Sequence, residues 1–287
     1  MNPRKLKRKL VSYIKFKELA KSIKLVALSQ LSNLKKKIST RGIPLSSVMP
    51  FYNKKYYSTL DFNRCLLIPV GVDKSRRGPH NNNIFKKTEK VIDSLLDSNK
   101  TIGLYTVGKK MKDYFKKYYS VYLIGNVYNI DKEPLSFTIS SVLASKIYEQ
   151  NWDKYYFIFN RYYSPFTQKT QIYEIAGATH FYKVVMNTNN IRKITSQQDY
   201  FNFFYDYDGG RIFNLVNEIY DHNFAMIVLD VLEENEYSGL GARVTAMDNS
   251  GQNAAKMIEV MTLLYNKARQ ASITNELIEI VSAASFV

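Results

Sequence analysis

Four kinds of residue in this chain could do chemistry, and their spacing decides what each can do. The three histidines, His80, His180 and His222, are far apart, and none sits in a metal-spaced pair. The single cysteine, Cys65, excludes a disulfide framework and any cysteine-based zinc or iron–sulfur site. It lies inside the apolar run Arg64–Val70, which predicts a packed core thiol rather than a nucleophile. Glu233, Glu234 and Glu236 cluster on a helical stretch with no histidine at ligand spacing, and read as a solvated helical face. Gly209 and Gly210 read as a loop-to-helix turn. No phosphate-cradling glycine loop of either common type is present, and no nucleophile elbow. The 23 Tyr and 16 Phe interleave with Lys at Lys54–Tyr57, Lys116–Tyr119 and Lys154–Tyr156, as a single-strand nucleic-acid platform would require. Many of these tyrosines fall at strand or seam positions, where core packing accounts for them. The reading is of a chain with no catalytic residue, no cofactor-binding residue and no metal ligand.

The elements that carry these residues follow from hydrophobic period and charge. Of 287 residues, 45% are hydrophobic, enough for a core, and no apolar run approaches the ~18 residues of a membrane span. The net charge of +16 is uneven: residues 1–41 carry +12, residues 42–225 carry +8 and residues 226–287 carry −4. A basic, acid-poor start suits a nucleic-acid patch or a transit peptide as well as a solvated helix. Residues 4–40 lack Pro and Gly. Leu6, Leu10, Tyr13, Lys17, Ala20, Lys24, Ala27, Leu31, Leu34 and Ile38 alternate steps of four and three, the heptad of a coiled coil. A second stripe, Phe16, Leu19, Ile23 and Val26, widens the apolar face beyond one seam and predicts a further partner.

At the other end, Tyr237, Leu240, Val244, Met247, Gly251, Ala254, Ile258, Met261, Tyr265 and Ala268 form ten uncharged seam positions. The small residues Gly251, Ala254 and Ala268 are expected to let a partner backbone come close. After Ala268 the stripe changes face, through Ile273, Leu277, Ile280 and Ala284, and ends in an uncharged tip that includes Ile280, Val281, Phe286 and Val287. A helix over 211–287 would be about 115 Å long, so a rod with a domain attached is expected. The two end helices should pair as an antiparallel coiled coil.

Between them, Arg64–Val70, Thr101–Val107, Ser120–Ile124, Tyr155–Asn160, Gln171–Ala176 and Phe181–Met186 read as strands. Ile84–Leu96, Lys109–Tyr118 and a segment from Pro134 to about Glu149 read as helices. That alternation predicts a doubly wound, mostly parallel α/β sheet. Residues 187–210 suit an exposed connection. The organisation is a coiled-coil helix over 1–42, an α/β domain over 60–190 and a long coiled-coil helix over 208–287.

One string is specific. Tyr265–Val281 (YNKARQASITNELIEIV) closely resembles the C-terminus of the γ subunits of F-type ATP synthases, and Gly241–Met247 (GARVTAM) with Asp248–Ala254 (DNSGQNA) resembles the stretch before it. Lys21–Leu28 (KSIKLVAL) looks like that family's first helix, and Gly108–Tyr114 and Phe159–Ser164 resemble its α/β domain. One departure stands out. The family's glycine-rich loop with its cysteine is replaced over 72–84 by VDKSRRGPHNNNI, where Asp73, Gly78, Asn81 and Asn83 stay in register.

The resemblance implies a non-catalytic central-stalk rotor turning inside a ring of α and β subunits, with δ/ε-type stalk subunits alongside and the membrane c-ring below. It implies no membrane span of the chain's own and no nucleic acid. Rotor–stator contacts would fall on Ile23 and Arg243, near an acidic β-subunit lever, and on the catch residues Arg269, Gln270, Thr274 and Glu276. The seam would run through Val244, Met247, Gly251, Ala254, Ile258, Met261, Tyr265 and Ala268. The expected compartment is the matrix side of the mitochondrial inner membrane, with the cytoplasmic side of a bacterial plasma membrane as the alternative. The basic N-terminus overlaps the family's first helix and is expected to stay in the mature protein. A basic coiled-coil scaffold or nucleic-acid-binding protein is the competing reading. An enzyme on the central domain would need a nucleotide in the sheet crevice.

Overall fold

The computed structural model describes residues 3–39, 48–52, 57, 60–73, 78–130, 134–149, 151–164, 167–185 and 209–284. The chain forms two compact units, Ser32–Ala242 and Met1–Leu31 with Arg243–Val287. One helix, α6 (Gly209–Ala284), contributes to both.

The larger unit is the α/β domain. Its strands are β1 (Arg64–Pro69), β2 (Thr101–Val107), β3 (Leu123–Val127), β4 (Lys154–Ser164) and β5 (Thr167–Ala176). The helices between them are α2 (His80–Asp97), α3 (Lys109–Tyr118), α4 (Phe137–Tyr148) and α5 (Ala178–Val185). The sheet order is β3-β2-β1-β4-β5, parallel except for the antiparallel β4–β5 pair. The chain winds outward from β1 to β3, then returns through α4 to β4 on the other side of β1, which is the doubly wound topology. β1 sits centrally and is buried from Cys65 to Pro69, as a parallel strand covered on both faces must be.

Alternation along β1 divides the core. Leu67 points to a layer with Ile102, Leu104 and Ile158, covered by Ile84 and Ile92 of α2 and Met111 and Phe115 of α3. Leu66 and Ile68 point to the opposite layer with Phe157, Phe159 and Ile175. There the cover is Leu143 and Ile147 of α4, Phe181 of α5 and the Val216–Leu232 stretch of α6. Phe224 is fully buried, with Tyr155, Phe157 and Tyr220 rings 5.1, 5.6 and 5.7 Å away. Each such ring contributes about 1.5–3 kcal/mol by leaving water.

Four local expectations change. Phe181–Met186, read as a strand, is helical within Ala178–Val185, because Phe181, Val184 and Val185 recur at helical spacing on the buried side. Ser120–Tyr122 is a short 3₁₀ turn, so the strand starts at Leu123. Helix α4 opens at Phe137 rather than Pro134, because the Ser136 hydroxyl caps it by accepting the Ile139 N–H at 3.4 Å. Glu233 and Glu234 are not on a solvated face. Glu233 is buried, and the Glu234 carboxylate lies 3.8 Å from Arg161 Nε, because α6 lays that side of its surface against the sheet. Gly209 and Gly210 begin α6, while 187–208 lies outside the described residues. Cys65 is buried as expected, and burial pushes its thiol pKa up, away from nucleophilic use.

The smaller unit joins α1 (Pro3–Ser39), over its first 31 residues, to α6 from Arg243 onward. Leu6, Ala20 and Ala27 are at most 1% exposed, while the polar positions between them face water.

Candidate functional site: the helix pair and its projecting end

The seam residues settle register. Lys24 Nζ meets Asp248 Oδ1 at 2.5 Å across the two helices. With antiparallel helices, stepping from that pair towards the N-terminus of α1 brings Pro3 level with Arg269. Burial follows this register. Val244, Met247 and Ala254 are buried, Gly251, Ile258, Met261, Tyr265 and Ala268 are half-buried, and every residue from Ile273 to Ala284 is exposed. Gly251 departs from its expected role: a methyl added there would meet nothing within 4 Å. Ala20, Ala27 and Ala254 are the small residues buried in this unit.

Past the start of α1, helix α6 has no helical partner among the described residues and shows water an apolar surface. Ile273, Leu277, Ile278, Ile280 and Val281 are between 47 and 67% exposed. Phe286 and Val287 lie outside the described residues. A second apolar stripe on α1 is also open, with Phe16, Leu19 and Val26 about half exposed and Ile23 half-buried. Contiguous apolar surface of this kind marks a place where another protein sits.

The polar residues expected here are in place to reach outward. Arg269, Gln270, Thr274 and Glu276 are all exposed. Two already use their own helix: the Thr274 hydroxyl donates to the Gln270 carbonyl at 3.0 Å, and Glu276 accepts from the Ser272 hydroxyl at 3.1 Å. Arg243 is half-buried, and its Nε has no hydrogen-bond partner among the described residues. Exposed Lys5, Lys7, Arg8, Lys9, Lys15, Lys17 and Lys21 spread positive charge along α1.

The sheet domain offers a cleft at the C-terminal ends of β1 and β2. It is about 50 Å³, lined by Gly71, Asp73, Gly108, Tyr128, Asn235 and Glu236 among others. Its two carboxylates, Asp73 and Glu236, would repel a phosphate. Asp73 caps α3 instead: its Oδ1 accepts the Lys109 N–H at 2.5 Å, and its Oδ2 the Asn129 N–H at 3.3 Å. Asn81 closes the same loop, exchanging two hydrogen bonds with the backbone of Val72 at 3.2 and 3.0 Å. Two residues kept in register within the divergent 72–84 stretch therefore hold its ends. No group of three or more metal-ligating side chains is gathered among the described residues. Sequence reasoning missed a buried polar cluster of His80, Asn160 and Asn235, because its members are 75 or more residues apart and carry no joint spacing signal.

Each unit thus has its own character: one is a doubly wound α/β domain, and the other is a long helix pair with apolar residues exposed on its outer face and at its end. The model of the ATP synthase family matches residues 2–287. A gamma chain of ATP synthase from Jannaschia is 31% identical over 223 residues, covering 76% of this chain and 72% of its own. The mitochondrial F(1) complex subunit gamma of Rattus norvegicus is 26% identical over 281 residues, covering 97% and 96%. In fold, the chain matches one from the OSCP/F1/c-ring assembly of the Euglena gracilis mitochondrial ATP synthase, with a TM-score of 0.79 at 20% identity over 99% of this chain and 93% of that one. This chain belongs to the ATP synthase family, among its gamma chains.

Proposed function

We propose that the chain is the central-stalk rotor of an F-type ATP synthase, coupling proton-driven rotation of a membrane c-ring to conformational change at nucleotide sites on surrounding β subunits. The observation that carries this is the end of α6. A helix that runs past its partner and exposes Ile273, Leu277, Ile280 and Val281 needs an apolar sleeve. Non-directional apolar contacts suit a part that turns, since hydrogen bonds or ion pairs would hold one angle. The partners are the α/β ring, δ/ε-type stalk subunits and the c-ring. No described helix is long and apolar enough to cross a membrane, so the chain would be held at the membrane by the c-ring. The mitochondrial relative supports a mitochondrial location, and the proposal puts the chain on the matrix side of the inner membrane.

On this reading the chain does no chemistry itself. It acts through asymmetry, biasing three nucleotide sites into different states. Arg243, with an open guanidinium donor, would face the acidic β-subunit lever beside Ile23. Arg269, Gln270, Thr274 and Glu276 would form transient bonds to β-subunit loops. The test is affinity purification of the tagged chain at physiological salt. Recovery of α, β and c subunits in fixed ratio supports the rotor. Retention on DNA that is lost as salt rises, without those subunits, would replace it with the basic-scaffold reading.

A further inference from the structure

β4 and β5 run on beyond the rest of the sheet. β1 pairs with β4 only through Ile158, while the β4–β5 ladder continues from Phe159–Gln171 to Ser164–Thr167. This projecting hairpin lies along α6, and its contacts repeat at helical spacing. The Tyr173 hydroxyl donates to Asp230 Oδ2 at 3.4 Å. Arg161 Nε is 3.8 Å from Glu234 Oε2. The Tyr162 ring meets Tyr237 edge to face at 4.6 Å. One turn on, the same ring occupies the space where any residue other than Gly241 would place its Cβ. Residues 230, 234, 237 and 241 step by four, three and four, which is one face of α6.

Behind this face lies a fully buried polar cluster. Asn235 Oδ1 accepts the backbone N–H of Asn160 at 3.3 Å and lies 3.1 Å from His80 Nε2. Since that oxygen is an acceptor, Nε2 is the protonated nitrogen of His80 in this contact. Asn160 Nδ2 donates to the His80 carbonyl at 2.8 Å, and the Thr170 hydroxyl donates to Asn160 Oδ1 at 2.7 Å. His80, Asn160 and Asn235 are 1, 1 and 2% exposed. The first turn of α2, both strands of the hairpin and α6 thus meet at one asparagine pair.

Apolar contacts, such as those of Val216 to Leu232 with the sheet, hold a helix close but resist its turning about its own axis only weakly. Hydrogen bonds fall off steeply with angle and so fix the azimuth. Buried polar groups offer little net stability but can specify a unique arrangement. We propose that the β4–β5 hairpin, keyed by His80, Asn160 and Asn235, is a torsional clamp through which twist passes between the sheet domain and α6. His80 and Asn235 are then positioning residues for rotary coupling. The proposal rests on the rotor reading above.

The experiment uses the assembled complex. In His80→Phe/Asn235→Leu both side chains become apolar, so the bonds to Asn235 Oδ1 go while the volume is kept, and the buried Asn160 N–H is left without its acceptor, at a cost in stability. Clamp failure predicts near-normal ATP hydrolysis, and proton-driven synthesis lowered roughly 2- to 30-fold, the span for coupling residues away from both sites. It also predicts softer torsional fluctuations of a bead fixed to the sheet domain while the α/β ring is held on a surface. Adding an oxidised Tyr162→Cys/Gly241→Cys cross-link should restore the stiffness; native Cys65 is buried in β1 and does not compete. If the double variant does not assemble, Arg161→Gln/Tyr162→Leu on the outer part of the hairpin reads the same stiffness. Unaltered stiffness and synthesis in an assembled variant overturn the clamp and leave the rotor reading intact. A bead on the unmodified protein that never rotates with ATP overturns the rotor reading itself.

Discussion

The side chains with chemical potential in this protein are spent on structure, and the tyrosines show it best. Tyr114 donates to Glu89 Oε1 at 2.6 Å; that bond, with burial, pushes its pKa up to about 12. Burial alone is the main cause that pushes Tyr155 to about 12, and it drives Tyr57, Tyr156 and Tyr173 higher still. The sign of the consequence is fixed. A phenol whose folded pKa is raised holds its proton after the unfolded chain has lost it. Its contribution is therefore whole below the ordinary value near 10 and is lost as pH climbs through the folded value. Thermal melts should be flat up to about pH 9 and fall steeply above 10. Tyr114→Phe should flatten part of that fall, and an unchanged slope would show that this phenol is not held by Glu89. His80, Asn160 and Asn235 are the residues least legible in sequence. Each reads singly as a surface polar residue, and only the topology that brings β4, α2 and α6 together shows that they share one oxygen acceptor.

At the scale of elements, the two end helices were legible, because burial along a helix depends on a short local period, although Lys17 on the expected stripe is exposed and Gly251 does not bring the helices closer. Ala27 is fully buried at that seam, so Ala27→Leu should overpack it and cost about 1–3 kcal/mol. Lys24→Ala removes an ion pair whose side chains are each 35% exposed, and should cost no more than about 1 kcal/mol. Gly251→Ala has room for its methyl and should stabilise the helix by about 0.5–1 kcal/mol. Chemical denaturation of the three variants gives this order, and a Gly251→Ala that destabilises would mean the helices approach more closely there than the open space allows. In the α/β domain the strands near the core were legible, but the last one was not. Phe181, Val184 and Val185 satisfy a strand-like composition and a helical spacing at once, and the tight approach of Gly177 to the Trp152 carbonyl turns the chain into a helix after β5. The solvated reading of Glu233 and Glu234 failed for the opposite reason. The helix was placed correctly, but which side faced the sheet is decided by tertiary packing.

At the scale of the whole molecule the proposed rotor reading gives the uneven charge a use. Net charge is +12 over residues 1–41 and −4 over 226–287, and Lys24 pairs with Asp248 across the two helices. Lys5, Lys7, Lys9, Lys15, Lys17 and Lys21 are exposed on α1, which also carries an exposed apolar stripe. On the proposed reading, a rotor meeting acidic levers in sequence would gain from charge spread along a face, because exposed pairs at long range are soft and screened. Ile23 is the place where this balance can be tipped. It is half-buried in the second stripe, with no charge of its own and Lys24 committed to Asp248 beside it. Ile23→Lys adds a cation where a β-subunit lever would pass and should over-stabilise one rotary state. The expected outcome is a lower yield of ATP per proton translocated, with ATP hydrolysis at least partly retained and the fold of the isolated helix pair unchanged. Ile280→Asp/Val281→Asp acts at the other end. It touches no described partner in this chain, so it should leave the melt of the purified chain unaltered while weakening recovery of the α/β ring. The two variants separate the two roles of the shaft: the first alters what a turn delivers, and the second alters whether the shaft is held in its sleeve at all. If Ile23→Lys left the yield per proton unchanged in a fully assembled complex, the lever contact would have to lie elsewhere on α1, among Phe16, Leu19 and Val26.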